Sequence, residues 1–346
     1  MLFALLLACK EKEDDTLTPR PWSDCDPISY EYCALPFPST YYMKEDSTSP
    51  TGWRIDLREK TLPYTDQGEI SYQPKPDYWN ERDGFSPLAP LLAEFPNMVL
   101  DGVPDHDHIG DSLLDTSPLI VLDADTNEQM PVWAELDMSD SLATKRMLLI
   151  YPAVPLRNGH RYVVGIRNIK DASGATIPPS EGYAALRDGT PTENWDIEGR
   201  RDQYEGIFST LEQAGWSRSE TQLAWDLVIG STQGITGKAL FMRDDALATV
   251  GSTGPQYQIT EVNDEYSDTI YRQIKGTFTC PLYTEEDGPG TLLTRDENGM
   301  PYQNGTTEAK FMIMIPRTAV ENPRPLPLLQ YGHGLLGDMD EAESSY

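Results

Sequence analysis

The segment "LPLLQYGHGLLGD", residues 326–338, has residue types and a spacing that could support catalysis. Ester hydrolysis needs backbone N–H groups aimed at the developing oxyanion, and a glycine-rich turn after a strand commonly supplies one. Gly332 and Gly334 permit a tight turn, and we predict that the Leu335 N–H is the donor. His333 is predicted to hold the loop by side-chain hydrogen bonds rather than to act as a base. The alternative is an ordinary glycine-rich end of a strand.

A nucleophile to accompany this loop is missing from the sequence. The expected motif, Gly-x-Ser-x-Gly, places the serine on a sharp turn between a strand and a helix. The nearest match is "GFSPL" at residues 84–88, but its last position is Leu, and Pro87 would block the following helix. We therefore expect the nucleophile to lie beyond residue 346, in a chain that looks truncated.

Two acidic stretches contain residue types that bind metal ions. "DGVPDHDHIGD" offers Asp and His side chains at residues 105–111, but neighbouring residues of an extended chain point to opposite faces. A polar loop is the favoured interpretation, and a divalent metal site is the alternative. "DADTN" at residues 123–127 resembles half of a calcium loop without its Gly and later Glu, which favours a hairpin turn. We predict no metal and no cofactor.

The charge balance excludes several classes of partner. The chain has 56 Asp and Glu against 27 Lys and Arg, which gives a formal net charge of −29. Binding to nucleic acid or to an anionic membrane surface requires clustered positive charge, so neither partner is expected. No apolar stretch approaches the ~20 residues that a membrane-spanning helix needs.

The first residues resemble an export signal. Residues 2–8 form an apolar run of signal-peptide length, and Leu6-Leu7-Ala8-Cys9 resembles a bacterial lipobox, in which the Cys becomes the lipidated first residue. No Lys or Arg precedes the run, which departs from that pattern. We predict an exported lipoprotein of the cell envelope that contacts the membrane only through a lipid anchor on Cys9. A frayed apolar terminus with a chance Cys is the alternative.

Export changes how the remaining cysteines are interpreted. Cys25 and Cys33 lie close together between Pro-rich segments and are predicted to form a disulfide in an oxidising compartment. Closing so small a loop contributes about 2.5 kcal/mol in the loop-entropy model. A zinc site is less favoured, because no second Cys or His pair stands at ligand spacing. Cys280 lies in an alternating strand pattern and is predicted to be a buried free thiol.

The distribution of apolar and turn-forming residues predicts a mixed fold in five segments. They are a signal remnant (1–9), a polar tether with the disulfide loop (10–50), short strands and turns (51–190), a helical segment (191–252) and a second set of strands (253–346). The regular short strands of the third segment are typical of an immunoglobulin-like β-sandwich.

Two of these segments carry more specific predictions. In the helical segment, one helix is expected to end at Gly215 and a second to be capped by Ser217 or Ser219. In the last segment, "KFMIMIP" is expected to be a strand buried on both faces, and "PLPLLQYGHG" is expected to be a further strand.

Several short stretches, taken in order, resemble one protein family. They are "CALPFPS", "ERDGFSP", "HRYVVGIRNIKDASG", "LAWDLVIGS", "GTFTCPLYT" and "PLLQYGHGLLG". Their order is similar to that of exported bacterial hydrolases related to the virulence-factor lipases, which carry an N-terminal β domain. The resemblance implies that residues 253–346 begin an α/β-hydrolase catalytic domain, whose Ser, acid and His have no matching position here. In that fold the catalytic His follows far downstream, which is why His333 is not assigned as the base.

Two functions are open at this point. The first is the N-terminal part of a serine esterase or lipase-like enzyme of the cell envelope, which acts on a small-molecule or lipid ester and is inactive as this fragment. The second is a non-catalytic surface lipoprotein whose β-sandwich binds a partner or a glycan.

Overall fold

The structure is a computed structural model that describes residues 22–67, 70–140, 142–335 and 337–344. The chain divides between Ile235 and Thr236 into two compact units. This division differs from the predicted boundaries after residues 190 and 252. Residues 191–235 belong with the first unit, and residues 236–252 belong with the second.

The first unit is built mainly from short strands. They are β1 (Met43–Glu45), β2 (Trp53–Ile55), β3 (Thr65–Gln67), β4 (Ile70–Tyr72), β5 (Leu91–Glu94), β6 (Met98–Val99), β7 (Leu119–Asp123), β8 (Glu128–Gln129), β9 (Val132–Leu136), β10 (Met147–Pro152), β11 (Arg161–Arg167), β12 (Lys170–Asp171) and β13 (Thr221–Val228). Two sheets have the orders β5-β10-β9 and β13-β11-β7-β8, and β1–β2, β3–β4 and β6–β12 form two-stranded sheets. All of these pairings are antiparallel. The predicted mixed, strand-rich architecture is confirmed at this level.

Turns occur where Asn and Gly favour them, and the turn between the paired strands β7 and β8 is a hairpin turn. Residues 124–127 form the turn between β7 and β8, and Asn127 has a φ of 58° there. Gly159, in the turn before β11, has a φ of 78°. Asn and Gly adopt this left-handed backbone at less cost than other residues. The "DADTN" stretch is therefore a hairpin turn, as predicted.

The three-stranded and the four-stranded sheet contribute side chains to one hydrophobic core. Every residue of β7 is buried, and alternate residues of β9 and β10 are buried as well. The alternate pattern is that of strands with one face on the core, whereas β7 is enclosed on both faces. The buried residues of β9 and β10 are Val132, Ala134, Leu148 and Ile150.

Helices cover part of this core. Those of the first unit are α1 (Asp77–Asn80), α2 (Glu181–Asp188), α3 (Trp195–Glu198) and α4 (Arg201–Gln213). α4 contacts β11 and β13, and Gly165 of β11 allows this approach, because a Cβ there would lie 3.0 Å from Leu211. Gly215, with a φ of 81°, follows the end of α4 as predicted. No helix of the residues described in either unit is long and apolar enough to cross a membrane.

The second helix predicted for residues 191–252 is instead strand β13. All eight of its residues are buried, and it pairs with β11 along its length. Helices α2 and α4 both contact it. A strand enclosed on both faces is a continuous apolar run, and such a run contains residues at three- and four-residue steps by default. The helical prediction was wrong because periodicity cannot separate the two structures in so short a run.

The described part of the second unit contains an antiparallel sheet, a helix of 13 residues and two shorter helices. Its elements are α5 (Lys238–Val250), β14 (Tyr257–Asp264), β15 (Ile270–Pro281), β16 (Thr306–Pro316), α6 (Arg317–Glu321) and α7 (Glu341–Ser344), and the sheet order is β14-β15-β16. The "KFMIMIP" stretch lies in β16, so a strand is correct. Its predicted burial on both faces is wrong, because Ile313 is 43% exposed. An apolar strand sequence does not by itself supply the elements that must cover it.

The disulfide between Cys25 and Cys33 is confirmed, with a Cα–Cα distance of 4.3 Å. The loop it closes is also held by the Asp26 N–H, which donates to the Cys33 carbonyl. Cys280 is a free thiol on β15 but is only half-buried, so its predicted full burial is wrong. Partial burial, and then the nearby Glu308 and Asp287, raise the pKa of this thiol. Cys9 lies outside the described residues.

Candidate functional site

The predicted catalytic loop lies in the second unit, after an irregular segment. Residues 323–334 belong to no helix or strand, so the strand predicted for "PLPLLQYGHG" is not formed. Pro325 and Pro327 lack the backbone N–H that strand pairing needs, which limits this stretch to edge positions. Leu328 and Leu329 are 90% and 77% exposed. The apolar stretch that was predicted to be a strand is therefore irregular, and its leucines lie on the surface of the described unit.

A carboxylate binds to the backbone of this loop. The Gly334 N–H donates to Oε2 of Glu341 at 2.7 Å, and the Tyr331 hydroxyl donates to Oε1 of the same side chain at 2.9 Å. Glu341 is the first residue of α7. A Cβ on Gly337 would lie 2.7 Å from Oε2, so glycine at this position leaves room for the carboxylate. The loop thus presents hydrogen-bond donors to a negatively charged oxygen.

The electrostatics of the loop agree with this geometry. The hydrogen bond from the Gly334 N–H, and then the one from Tyr331, hold the pKa of the Glu341 carboxyl below its ordinary value. His333 lowers the pKa further through its charge. Hydrogen bonds to the charged form favour that form, so the loop stabilises an anion.

The three residues assigned to the loop from sequence have different surroundings. His333 Nδ1 lies 2.8 Å from the Gly334 carbonyl, to which it donates, a contact of the kind expected of a loop-holding side chain. Gly334 supplies the N–H that contacts the carboxylate, one residue before the predicted donor. The Leu335 side chain is 97% exposed, and its role as the oxyanion donor stays a prediction.

A second cluster of ionisable groups lies in the first unit, where Asp123 and Asp125 of the "DADTN" stretch meet His160 and Arg157, which sequence reasoning missed. The buried Asp123 carboxylate accepts from His160 Nδ1 at 2.9 Å and from an Arg157 guanidinium nitrogen at 2.9 Å. Asp125 Oδ2 lies 3.6 Å from the same imidazole nitrogen. Burial opposes ionisation of Asp123, but the hydrogen bonds from Arg157 and His160 hold its pKa below the ordinary value.

Three possible metal-ligand atoms of this second cluster lie within 4.8 Å of one another, which is close enough to share a metal ion. They belong to Asp123, Asp125 and His160. Arg157 already supplies the positive charge that a buried carboxylate needs. Both Asp123 oxygens also accept hydrogen bonds, Oδ1 from the Asp125 and Thr126 N–H groups. We therefore assign the cluster to bracing the β7–β8 turn. The signals in sequence were the likeness of "DADTN" to half of a calcium loop and the position of His160 directly after the Asn158-Gly159 turn.

The stretch at residues 105–111 has the character of a polar loop. Asp105 accepts hydrogen bonds from the Asp107 and His108 N–H groups and from His108 Nδ1 at 2.8 Å. These bonds are local and exposed, and they hold the Asp105 carboxylate in its own turn. They lower the pKa of Asp105, mainly through the His108 side chain, and they raise the pKa of His108.

No protein-family model, curated protein or solved structure matches this chain. Function is therefore argued from the residues and the geometry of the loop rather than from a relative.

Proposed function

We propose that residues 331–335 are the oxyanion-binding loop of an exported serine ester hydrolase of the α/β-hydrolase type. The observation that carries this proposal is the hydrogen bond from the Gly334 N–H to the Glu341 carboxylate. An ester under attack develops negative charge on its carbonyl oxygen, and a backbone N–H that already points at a carboxylate oxygen suits that charge. The order of sequence motifs that resembles the lipase-related hydrolases supports the same proposal. The substrate would be a small-molecule or lipid ester.

The 346-residue chain alone should hydrolyse no p-nitrophenyl ester above the buffer rate. The physical reason is that no residue of this sequence is assigned as the serine nucleophile or its base, and an oxyanion loop without them activates nothing. The measurement is release of p-nitrophenol by purified protein. Turnover that survives purification would place the active site elsewhere in these residues.

The same proposal can be tested on the gene. We expect the DNA after codon 346 to continue in frame to a Gly-x-Ser-x-Gly motif followed by an Asp and a His. A stop codon directly after codon 346 would remove the hydrolase proposal and favour a binding protein.

For the first unit we propose an immunoglobulin-like sandwich that accompanies the catalytic part. Its support is that the sheets β5-β10-β9 and β13-β11-β7-β8 share one core and are antiparallel throughout. Export is supported by the Cys25–Cys33 disulfide, because such bonds persist in oxidising compartments.

Cys9 should carry a lipid when the gene is expressed with an intact signal. Acylation of the lipobox Cys is what would tether so acidic a protein to an anionic membrane surface, which otherwise repels it. Radiolabelled palmitate should enter the wild-type protein and not the Cys9→Ser variant. Equal labelling of both proteins would contradict the lipoprotein proposal and favour the alternative, a frayed apolar N-terminus with a chance Cys.

A non-catalytic binding protein is the second candidate, and one observation favours it. Trp133 of β9 and Tyr151 of β10 stack with ring centroids 4.3 Å apart, and neither ring is fully buried. The Tyr151 hydroxyl donates to Glu135, and His106 packs edge-on against Trp133. Aromatic rings beside polar groups suit a glycan, so sugar-dependent tryptophan fluorescence that is lost in Trp133→Ala would support this candidate.

A further inference from the structure

A hydroxyl, a carboxamide and a carboxylate meet inside the first unit. Thr40 lies in the 3₁₀ turn Thr40–Tyr42, Gln203 on α4 and Asp226 on β13. The Thr40 hydroxyl donates to Asp226 Oδ1. Gln203 Nε2 lies 2.7 Å from Thr40 Oγ1 and 2.8 Å from Asp226 Oδ1. Because a carboxylate only accepts, the contact with Asp226 identifies the amide end of Gln203 as the nitrogen.

Each of the three groups has a distinct chemical role available to it. A hydroxyl that donates to a carboxylate is the arrangement of a nucleophile with its base. The carboxamide carbon of Gln203 is one C–N bond of about 1.33 Å beyond Nε2. It therefore lies within about 4 Å of the Thr40 oxygen, to which Nε2 donates.

The surroundings hold Asp226 in place for this role. Arg161 pairs with Oδ2, with Nε at 2.7 Å and a terminal nitrogen at 2.6 Å. Oδ1 is the oxygen that contacts Thr40 and Gln203. Thr40 is 5% exposed and Asp226 is 3% exposed, so no external substrate can reach the hydroxyl. The Gln203 carboxamide contacts this hydroxyl through Nε2.

We propose that Thr40 and Gln203 become joined by an intramolecular ester, with Asp226 as the base. The Thr40 oxygen attacks the Gln203 carboxamide carbon while its proton passes to Asp226 Oδ1. Asp226 then returns this proton to the amide nitrogen as the C–N bond breaks. A hydroxyl and a carboxamide thus become an ester and one ammonia, the Asp226 carboxylate is regenerated, and no oxidant or reductant is consumed.

This bond would tie the 3₁₀ turn to α4 across 163 positions of sequence. It would be a second covalent closure of the first unit beside the disulfide, and it would survive reducing agents. The inference concerns the first unit alone and does not depend on the proposed hydrolase function.

Mass spectrometry of the folded chain tests the proposal. The wild-type protein should be lighter than its sequence by one ammonia, beyond the two hydrogens lost to the disulfide. After digestion, the peptides that contain Thr40 and Gln203 should appear as one linked species, which hydroxylamine separates because it cleaves esters. Thr40→Ser keeps the hydroxyl and should keep the link, whereas Thr40→Val and Gln203→Glu should lose it.

Matched controls keep the result interpretable. Thr210 also lies on α4 but donates to the Gly206 carbonyl, so Thr210→Val should leave the link intact. Circular dichroism establishes that each variant is folded before its mass is read. Separate recovery of the two peptides from folded wild-type protein, with Gln203 unchanged, would overturn the proposal. A link that persists in Thr40→Val would overturn it as well.

Discussion

Gly334→Pro should lower kcat by about 10²- to 10³-fold in the proposed hydrolase, when this loop is expressed together with a nucleophile. Proline has no N–H, so the substitution deletes the donor that contacts the Glu341 carboxylate in the structure. The loss should fall on kcat, because the hydrogen bond strengthens as negative charge develops on the substrate. The measurement is steady-state hydrolysis of a p-nitrophenyl ester.

Gly334→Ala is the matched control for this prediction. A Cβ at residue 334 would meet Glu341 Oε2 at 3.5 Å, an ordinary contact, so the Ala variant should retain the N–H and most of the rate. Leu335→Pro, compared with Leu335→Ala, tests the donor predicted from sequence in the same way. Proline also restricts the residue before it, so circular dichroism must establish normal folding first. Wild-type kcat in folded forms of both Pro variants would remove this loop from the oxyanion hole.

A second readout of the same loop needs no nucleophile. In the 346-residue chain, loss of the Gly334 donor should raise the pKa of Glu341 toward its ordinary value, because that hydrogen bond is the main cause of its lowering. Carbon NMR of the carboxyl group measures the shift.

Asp26→Ala should destabilise the first unit by about 3–5 kcal/mol. Arg200 donates to both oxygens of Asp26, at 2.6 and 3.0 Å, and the two side chains are 3% and 0% exposed. The guanidinium also lies 4.6 Å from the Tyr41 ring centroid. Removing the carboxylate leaves a buried cation without its counter-charge, and that is the costly step. Urea unfolding monitored by tryptophan fluorescence measures the loss.

The exposed ion pair between Glu205 and Arg218 is the control for Asp26→Ala. Glu205 is 61% exposed, so Glu205→Ala should cost no more than about 1 kcal/mol. Replacing both buried partners, with Asp26→Leu and Arg200→Met, should recover part of the stability, because no charge is then left unpaired. Equal losses for Asp26→Ala and Glu205→Ala would show that the buried pair contributes no more than a surface one.

Sequence reasoning succeeded where one local rule determined the structure. The spacing of Tyr204, Ile207, Phe208 and Leu211 predicts a buried helical face, and α4 buries all four. Asn-Gly and Asp-rich steps predict turns from backbone preferences, and those turns are present. Sequence reasoning failed for β13, because a strand buried on both faces lacks the alternation of apolar and polar residues that distinguishes a strand from a helix. Exposure of β16 could not be read from its own composition either.

The candidate site shows the same limit. The hydrogen bond from His333 to the Gly334 carbonyl is of the kind predicted for a loop-holding side chain. The tight turn predicted at Gly332 and Gly334 is not formed, since residues 323–334 are irregular and neither glycine has a positive φ. The contact between Glu341 and the Gly334 N–H could not be predicted, because nothing in "DMDEAE" indicates which backbone N–H an acidic side chain will contact. Likewise, Asp26 and Arg200 are 174 positions apart, and no sequence pattern around either residue predicts their contact.

Residues near the beginning and the end of the first unit contact each other, and these contacts constrain the order in which the unit folds. The Trp225 indole N–H donates to the Pro38 carbonyl across 187 positions at 2.9 Å, and Thr40 meets Asp226 across 186. Such distant contacts are slow to form, because a long chain must be closed before they contribute any free energy. A ribosome releases the N-terminal side of the chain first, so the residues around Pro38 cannot form these contacts until β13 has emerged. The first unit would therefore complete its fold only after nearly all of its residues have been released.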